Sequence, residues 1–178
     1  MTNLFFSIAL SFLPGIHHAK FIIDTANRNK VIPITYAFNS ITIYNDIRVY
    51  ITEGDKNEIL VNNEEVAGNI KFKVNDDVLV IKSKKNMFTG NSMIKIVIVV
   101  KDIKCITIMG DAEVRTIGLL SDKNLKLEIY GDGAIYASTK ANEVNTFIKG
   151  VGKIEVKGNF KNTLVNKDAY GNMVTIYN

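Results

Sequence analysis

Hydrophobic and polar residues alternate at a period of two along most of the chain, which is typical of β-strands with one buried face. The alternation is clearest in residues 41–43, 47–51, 70–74 and 78–81, and residues 95–100 form a nearly continuous β-branched run. Turn-forming residues end these segments, and we expect a hairpin closed by residues 75–77. A helical turn is expected only at residues 63–69. The pattern therefore predicts an all-β chain.

The second half of the chain repeats a glycine-containing corner. The corner begins at Gly110, recurs at Gly131 and Gly150 and returns loosely at Ala169, with steps of 21, 19 and 19 residues. A fixed period near 20 indicates a solenoid, because one short coil buries too little apolar surface to fold alone. We therefore expect coils of about 19–21 residues with Gly131 stacked on Gly150. We also expect buried columns that contain four isoleucines: Ile129, Ile148, Ile135 and Ile154.

Several segments together carry a resemblance to a known family. They are Phe38-x-x-Ile41, residues 51–54 (ITEG), residues 78–81 (VLVI) and the repeated G-x-G-x-hydrophobic corners. Residues 38–178 resemble the putative auto-transporter adhesin, head GIN domain family. The resemblance implies a bacterial exported protein without a catalytic motif. It also implies a right-handed parallel β-helix-like solenoid, with N-terminal strands and a hairpin packed onto the stack. Lys101, Ala112 and Ala169 depart from the family pattern.

An apolar run at residues 4–13 precedes this domain. It is too short to span a bilayer, which needs about 20 residues, but it has the length of a secretory signal. Ala19 offers a cleavage position, and a buried N-terminal strand or helix is the alternative interpretation. We expect a signal peptide at residues 1–19, a lead segment at 20–37 and one β-solenoid domain at 38–178. The expected location is the periplasm, the outer surface or the secreted fraction, with no membrane-spanning segment.

Composition narrows the chemistry that the chain can perform. Cys105 is the single cysteine, so the chain has no internal disulfide and no cysteine-based zinc cage. Cleavage near Ala19 would remove His17 and His18, the only two histidines, and with them histidine-based catalysis and zinc binding. The net charge of +4 is too small to indicate nucleic acid. We expect no cofactor, no metal and no nucleic-acid partner.

Three acidic or basic features have both a functional and a structural interpretation. Asp111 and Asp132, one repeat apart, fit either a calcium ladder or ordinary turns, and turns are favoured. The paired acids Glu64-Glu65, Asp76-Asp77 and Asp111/Glu113 could form a glycosidase pair, although neighbouring strand residues point to opposite faces. The run Lys82-Ser83-Lys84-Lys85 fits phosphate or an acidic glycan, or protects a sheet edge.

The repeat also predicts which outward residues align. A step of 19 places Tyr130 beside Lys149 and Asp168, and Glu128 beside Phe147 and Asn166. Aromatic rings beside lysines on a flat β face suit an acidic sugar or a protein partner. We therefore expect one ligand-binding face that carries five residues: Tyr130, Tyr136, Phe147, Lys149 and Lys153.

The favoured function is an exported, non-enzymatic, adhesin-like or scaffold-like binding protein for a cell-surface glycan or protein. The alternative is a polysaccharide-active lyase or hydrolase on a β-helix scaffold, an interpretation that rests on fold analogy. Short connections between the repeats leave little material for the walls of a catalytic cleft, which favours the binding protein.

Overall fold

A computed structural model describes residues 30–61, 64–84, 95–167 and 173–177 of the chain. Across these ranges the chain is all-β, as the alternation predicts, with one helix inside the expected residues 63–69. In chain order the elements are β1 (Lys30–Pro33), β2 (Ser40–Tyr44), β3 (Arg48–Glu53), β4 (Glu58–Val61), α1 (Glu64–Asn69), β5 (Ile70–Asn75), β6 (Val78–Ser83), β7 (Lys95–Val100), β8 (Cys105–Met109), β9 (Glu113–Ile117), β10 (Asn124–Tyr130), β11 (Ala134–Thr139), β12 (Glu143–Lys149), β13 (Lys153–Gly158), β14 (Asn162–Lys167) and β15 (Met173–Tyr177). The predicted signal peptide and Asp168 lie outside the described residues.

The strands form two sheets. Sheet I has the order β1-β4-β7-β3-β9-β11-β13-β15, and sheet II has the order β14-β12-β10-β8-β2-β6-β5. From β8 onward, consecutive strands alternate between the sheets, and each strand from β10 to β15 pairs in parallel with the strand two places earlier. Parallel neighbours need such crossovers, here through the opposite sheet.

Both sheets are mixed, so the expected parallel arrangement holds for only part of each. Strand β4 runs antiparallel to β1 and β7 in sheet I, and β5 runs antiparallel to β6 in sheet II. The reason is local, since short turns reverse the chain after β3 and after β5. Strand β1 lies within residues 20–37, which the sequence marked only as a lead segment.

The core lies between the inward faces of the sheets and forms one cluster of buried side chains. The expected isoleucine columns are confirmed. In sheet II, Ile129 pairs in register with Ile108 and Ile148, and in sheet I, Ile135 pairs with Val114 and Ile154. All six side chains are fully buried. Each buried aliphatic side chain of this size contributes roughly 1.5–3 kcal/mol, so the columns hold successive repeats together.

The predicted stacking of the glycine corners is also confirmed. Gly131 and Gly150 have φ values of 142° and 134°, a region that residues with a side chain rarely adopt. The Gly131 N–H donates to the carbonyl oxygen of Lys149 at 2.9 Å. A Cβ on Gly150 would overlap the Gly131 carbonyl, so successive corners approach too closely for any side chain.

The predicted hairpin joins β5 to β6. Asn75 pairs with Val78, and the two turn residues, Asp76 and Asp77, have φ values of 46° and 62°. Two consecutive residues with positive φ are typical of a tight two-residue hairpin turn. The resulting register pairs Lys71 with Lys82 at the outer edge of sheet II.

Candidate functional site

The structure divides the five predicted site residues between the two sheets. Tyr130 lies at the end of β10, and Phe147 and Lys149 lie on β12, all in sheet II. Tyr136 lies on β11 and Lys153 on β13, both in sheet I. The glycine corner after Tyr130 carries the chain from one sheet to the other. The single face that we expected is therefore two separate clusters.

The sheet II cluster is built around two aromatic rings. Tyr130 pairs in register with Lys149, and Glu128 pairs with Phe147, as the 19-residue step predicts. The Tyr130 and Phe147 ring centroids lie 5.4 Å apart with the rings tilted by 48°. Tyr130 is 37% exposed, so its ring keeps an open surface while Phe147 supports it. A supported, partly exposed ring is suited to stacking against an apolar face of a ligand.

Tyr130 is part of a longer row across six strands of sheet II, which we call the lysine–tyrosine row. Each member pairs in register with the next. From β5 to β12 the row consists of Lys71, Lys82, Tyr44, Met109, Tyr130 and Lys149. The ammonium group of Lys82 lies 4.3 Å from the centroid of the Tyr44 ring, a cation–π contact. The row thus has a cationic end, an aromatic and thioether centre, and a second cation at Lys149.

The cationic end contains a shallow depression of about 310 Å³. Three lysines line it together with Asn75 and Val80: Lys71, Lys73 and Lys82. The sequence indicated Lys82 as a possible anion-binding residue only within the basic run at residues 82–85, and it indicated no binding role for Lys71 or Lys73. The register of the predicted hairpin is the signal that identifies these two lysines, because it places Lys71 opposite Lys82 and Lys73 opposite Val80.

Beside the row, Glu128 organises a small polar cluster. It accepts a hydrogen bond from the Thr107 hydroxyl at 3.1 Å and forms an ion pair with Lys126 at 2.7 Å. The thiol of Cys105 lies in this cluster, 3.5 Å from the Thr107 hydroxyl. Burial is the main cause that raises the pKa of Cys105, and the Glu128 carboxylate adds to it. The thiol therefore stays protonated near neutral pH and is a poor nucleophile.

The sheet I cluster is a network of ion pairs in which two arginines share one carboxylate. Glu113 pairs with Arg48 at 2.8 Å and with Arg115 at 2.7 Å. The Arg115 guanidinium in turn lies 4.0 Å from the centroid of the Tyr136 ring. Burial alone would raise the pKa of Glu113, but hydrogen bonds and charge from the two arginines lower it below its ordinary value. The carboxylate is thus held ionised as a structural anion.

Lys153 has carboxylate and aromatic partners as well. Its ammonium lies 3.2 Å from Glu155 and 5.1 Å from the centroid of the Tyr136 ring. Glu155 also pairs with Lys157 at 3.0 Å, and the two lysines lower the pKa of that carboxyl group. Tyr136 and Lys153 therefore have charged partners within their own sheet, whereas Lys149 has no carboxylate within 4.0 Å among the described residues.

Three of the acidic residues weighed for catalysis or metal binding have structural roles: Asp132, Asp76 and Asp77. Asp132 accepts a hydrogen bond from the Val151 N–H at 3.2 Å, which is a turn contact between successive corners. Asp76 and Asp77 form the hairpin turn. The side chains of Glu64 and Glu65 lie outside the described set. In the described part of the chain, no group of three His, Cys, Asp or Glu residues is placed to hold a metal ion.

The model of one family, described as putative auto-transporter adhesin, head GIN domain, matches residues 37–174. The chain belongs to this family. The match spans both sheets, including the lysine–tyrosine row, and it confirms the resemblance seen in the sequence. None of the curated proteins compared with this family member matches it.

Solved structures with a similar fold come from several bacteria. A putative adhesin from Bacteroides fragilis is 17% identical with a TM-score of 0.53, covering 85% of this family member and 96% of its own chain. A putative adhesin from Parabacteroides distasonis is 18% identical with a TM-score of 0.55, covering 84% and 76%. A putative cell adhesion protein from Clostridium sporogenes is 16% identical with a TM-score of 0.50, covering 84% and 98%. At these identities the likeness shows the fold alone.

No helix in the described ranges of this family member has the length and apolar character of a membrane span.

Proposed function

We propose that this chain is an exported, non-enzymatic, adhesin-like protein that binds a cell-surface glycan or protein through the outer face of sheet II. Membership of an adhesin-described family supports the binding role. In this proposal the two sheets wind as a right-handed parallel β-solenoid. The alternation of strands between sheets from β8 to β15 supports the solenoid, and its right-handed sense is what the family resemblance implies. The N-terminal apolar run supports export.

The exposed ring of Tyr130 is the observation that carries the choice of face. It is 37% exposed, packs on Phe147 and lies beside Lys149 in the next strand. Among the described residues, no carboxylate lies within 4.0 Å of the Lys149 ammonium. A ligand therefore meets a flat ring and a neighbouring cation on a sheet fixed by backbone hydrogen bonds. Such preorganisation lowers the entropy cost of binding.

The charge partners of the acidic groups support a binding role over a catalytic one. An acid–base pair needs two carboxylates facing one cleft, with one of them able to hold a proton. Glu113 and Glu155 instead have pKa values lowered by arginine and lysine partners, and Glu128 is bonded to Lys126 and Thr107. Glu113 and Glu128 link neighbouring strands, and Glu155 pairs with two lysines of its own strand.

Matched double variants on the two sheets test this function. We expect Tyr130→Ala/Lys149→Ala to lose most of its binding on a glycan array and to whole cells, because the ring and cation of sheet II are removed. Tyr136→Ala/Lys153→Ala removes the same chemistry from sheet I and should retain binding. Circular dichroism spectra of both variants check that they are folded. Equal binding by the wild type and the sheet II variant, or loss only in the sheet I variant, would overturn the assignment.

A further inference from the structure

We propose that the ligand of sheet II is an acidic polysaccharide and that Lys71, Lys73 and Lys82 hold its anionic groups. This inference rests on the proposed function, since it names the ligand class for the same face. It adds an anion-binding subsite at one end of the lysine–tyrosine row, and Lys149 lies at the other end. Three features support it: the charge of the subsite, the spacing of the row and the chemistry of its centre.

The subsite concentrates positive charge without a compensating acid among the described residues. Lys71 and Lys82 are direct cross-strand partners, and Lys73 lies two residues further along β5 on the same face. All three side chains are exposed. Like charges directly opposite one another on a sheet repel, so an anion placed between them relieves a cost already present in the free protein.

Other lysines among the described residues differ from these three, because they are paired with carboxylates. Carboxylates lie within 4.0 Å of Lys126 on the same sheet and of Lys153 and Lys157 on sheet I. Lys82 instead contacts the ring of Tyr44, which orients its ammonium group over the row. The side chains of the three lysines line one depression, so their charges surround a single place where a ligand can lie.

The spacing of the row suits a linear ligand laid across the strands. Neighbouring strands lie about 4.8 Å apart, so Tyr44 and Tyr130, separated by β8, are roughly 10 Å apart, and the whole row spans about 24 Å. A strand spacing is comparable to the length of one sugar unit in a polysaccharide. A chain of sugars laid along the row can therefore place its acidic groups at the three lysines while it stacks on Tyr130.

The neutral centre of the row favours an acidic polysaccharide over nucleic acid. Met109 and Tyr130, each 37% exposed, carry no charge between the cationic end and Lys149. A nucleic acid has a phosphate at every nucleotide, and its binding sites match that density with repeated lysines and arginines. Sugar rings present apolar C–H faces to aromatic side chains, which is the chemistry that the centre of the row offers.

The test measures binding of the full chain to defined probes by isothermal titration calorimetry. The probes are heparin, polygalacturonate, neutral dextran, single-stranded oligothymidylate and vesicles of phosphatidylglycerol with phosphatidylcholine. We expect binding to heparin or polygalacturonate, none to dextran, and affinity that falls as NaCl rises from about 50 to about 500 mM, because salt screens exposed charges. Lys71→Gln/Lys73→Gln/Lys82→Gln should weaken that binding by about tenfold.

A matched triple variant controls for net charge. Lys123→Gln/Lys140→Gln/Lys161→Gln removes three exposed lysines near the turns before β10, β12 and β14, and it should change the affinity by less than about twofold. All six substitutions are at exposed side chains, so both variants should fold, and circular dichroism checks this.

The outcomes separate this inference from the proposed function. Equal losses in the two triple variants, tighter binding to oligothymidylate or anionic vesicles, or no binding to either acidic polysaccharide would overturn the inference. The proposed function would survive each of these results if Tyr130→Ala/Lys149→Ala still lost binding to array glycans or cells. An acidic polysaccharide that binds the Tyr130→Ala/Lys149→Ala variant as tightly as the wild type would instead overturn the role that the proposed function gives to Tyr130 and Lys149.

Discussion

Among single residues, Glu113 shows most clearly how a side chain joins neighbouring strands. Its carboxylate lies on β9 and pairs with Arg48 on β3 and with Arg115 on its own strand. The Glu113 side chain is 25% exposed, so water screens these ion pairs only in part. Burial disfavours the charged carboxylate, yet the two guanidinium groups lower its pKa below the ordinary value. The ionised form is therefore the one that the folded sheet stabilises.

This shift predicts a pH dependence of stability. Because the pKa of Glu113 is lower in the folded chain than in the unfolded chain, its contribution is present above the unfolded value of about 4.5 and is lost as pH falls through the folded value. We expect Glu113→Gln to lower the free energy of unfolding by about 1 kcal/mol at neutral pH and by less in acid. Urea unfolding at about pH 7 and about pH 3 measures the difference.

The control for this prediction is Glu58→Gln, which lies on β4 of the same sheet outside the Glu113 ion pairs. It should show a smaller loss at neutral pH. If Glu113→Gln were as destabilising in acid as at neutral pH, its effect would come from shape or packing and not from the ionised carboxylate.

At the scale of elements, the periodic parts of the chain could be predicted and the directions of some strands could not. Alternation fixes which residues point inward, and the repeat fixes which inward residues stack, so Ile129, Ile148 and the stacked glycines were predictable. Neither pattern states which of two sheets a strand joins. The corner between Tyr130 and Tyr136 therefore separated residues that the sequence had placed on one face.

The cationic end of the lysine–tyrosine row was not predictable for a related reason. Tyr44 and Lys82 are 38 positions apart, and they lie in the N-terminal half, where no repeat sets the register. Their contact depends on the parallel pairing of β2 with β6, which non-local packing decides. The hairpin of β5 and β6 then adds Lys71 beside Lys82.

The corners give a test of stacking at the element scale. We expect Gly150→Ala to lower the free energy of unfolding by at least about 2 kcal/mol, because it combines a positive φ with overlap on the backbone of the previous corner. Gly118→Ala is the matched control, since Gly118 has a φ of 78° and open space where a Cβ would lie. Gly118→Ala should lower the free energy of unfolding by about 1–2 kcal/mol, because only the backbone conformation opposes a side chain at this position.

Thermal unfolding of the two glycine variants beside the wild type provides the comparison. A larger loss in Gly118→Ala than in Gly150→Ala would show that the corners do not depend on close approach between successive repeats.

Considered as a whole, the molecule has two outer faces with different electrostatic character. Sheet I carries ion-paired networks around Glu113 and Glu155, in which each of the four cations lies within 4.0 Å of a carboxylate. Sheet II carries the lysine–tyrosine row, with exposed lysines at both ends and exposed Tyr130 between them. The proposed function follows from this difference, because a ligand gains more from the lysines of the row, which have no carboxylate within 4.0 Å among the described residues, than from cations already paired.

A tryptophan reporter measures ligand contact at each face directly. The chain contains no tryptophan, so Tyr130→Trp and Tyr136→Trp each introduce the single indole, on sheet II and sheet I respectively. Both variants are titrated with the array glycan or cell-surface component that the wild type binds, and indole emission is recorded. We predict a saturable emission change for Tyr130→Trp, with the wild-type dissociation constant, and a constant emission for Tyr136→Trp. A saturable change for Tyr136→Trp with a constant signal for Tyr130→Trp would contradict the proposal that sheet II is the binding face.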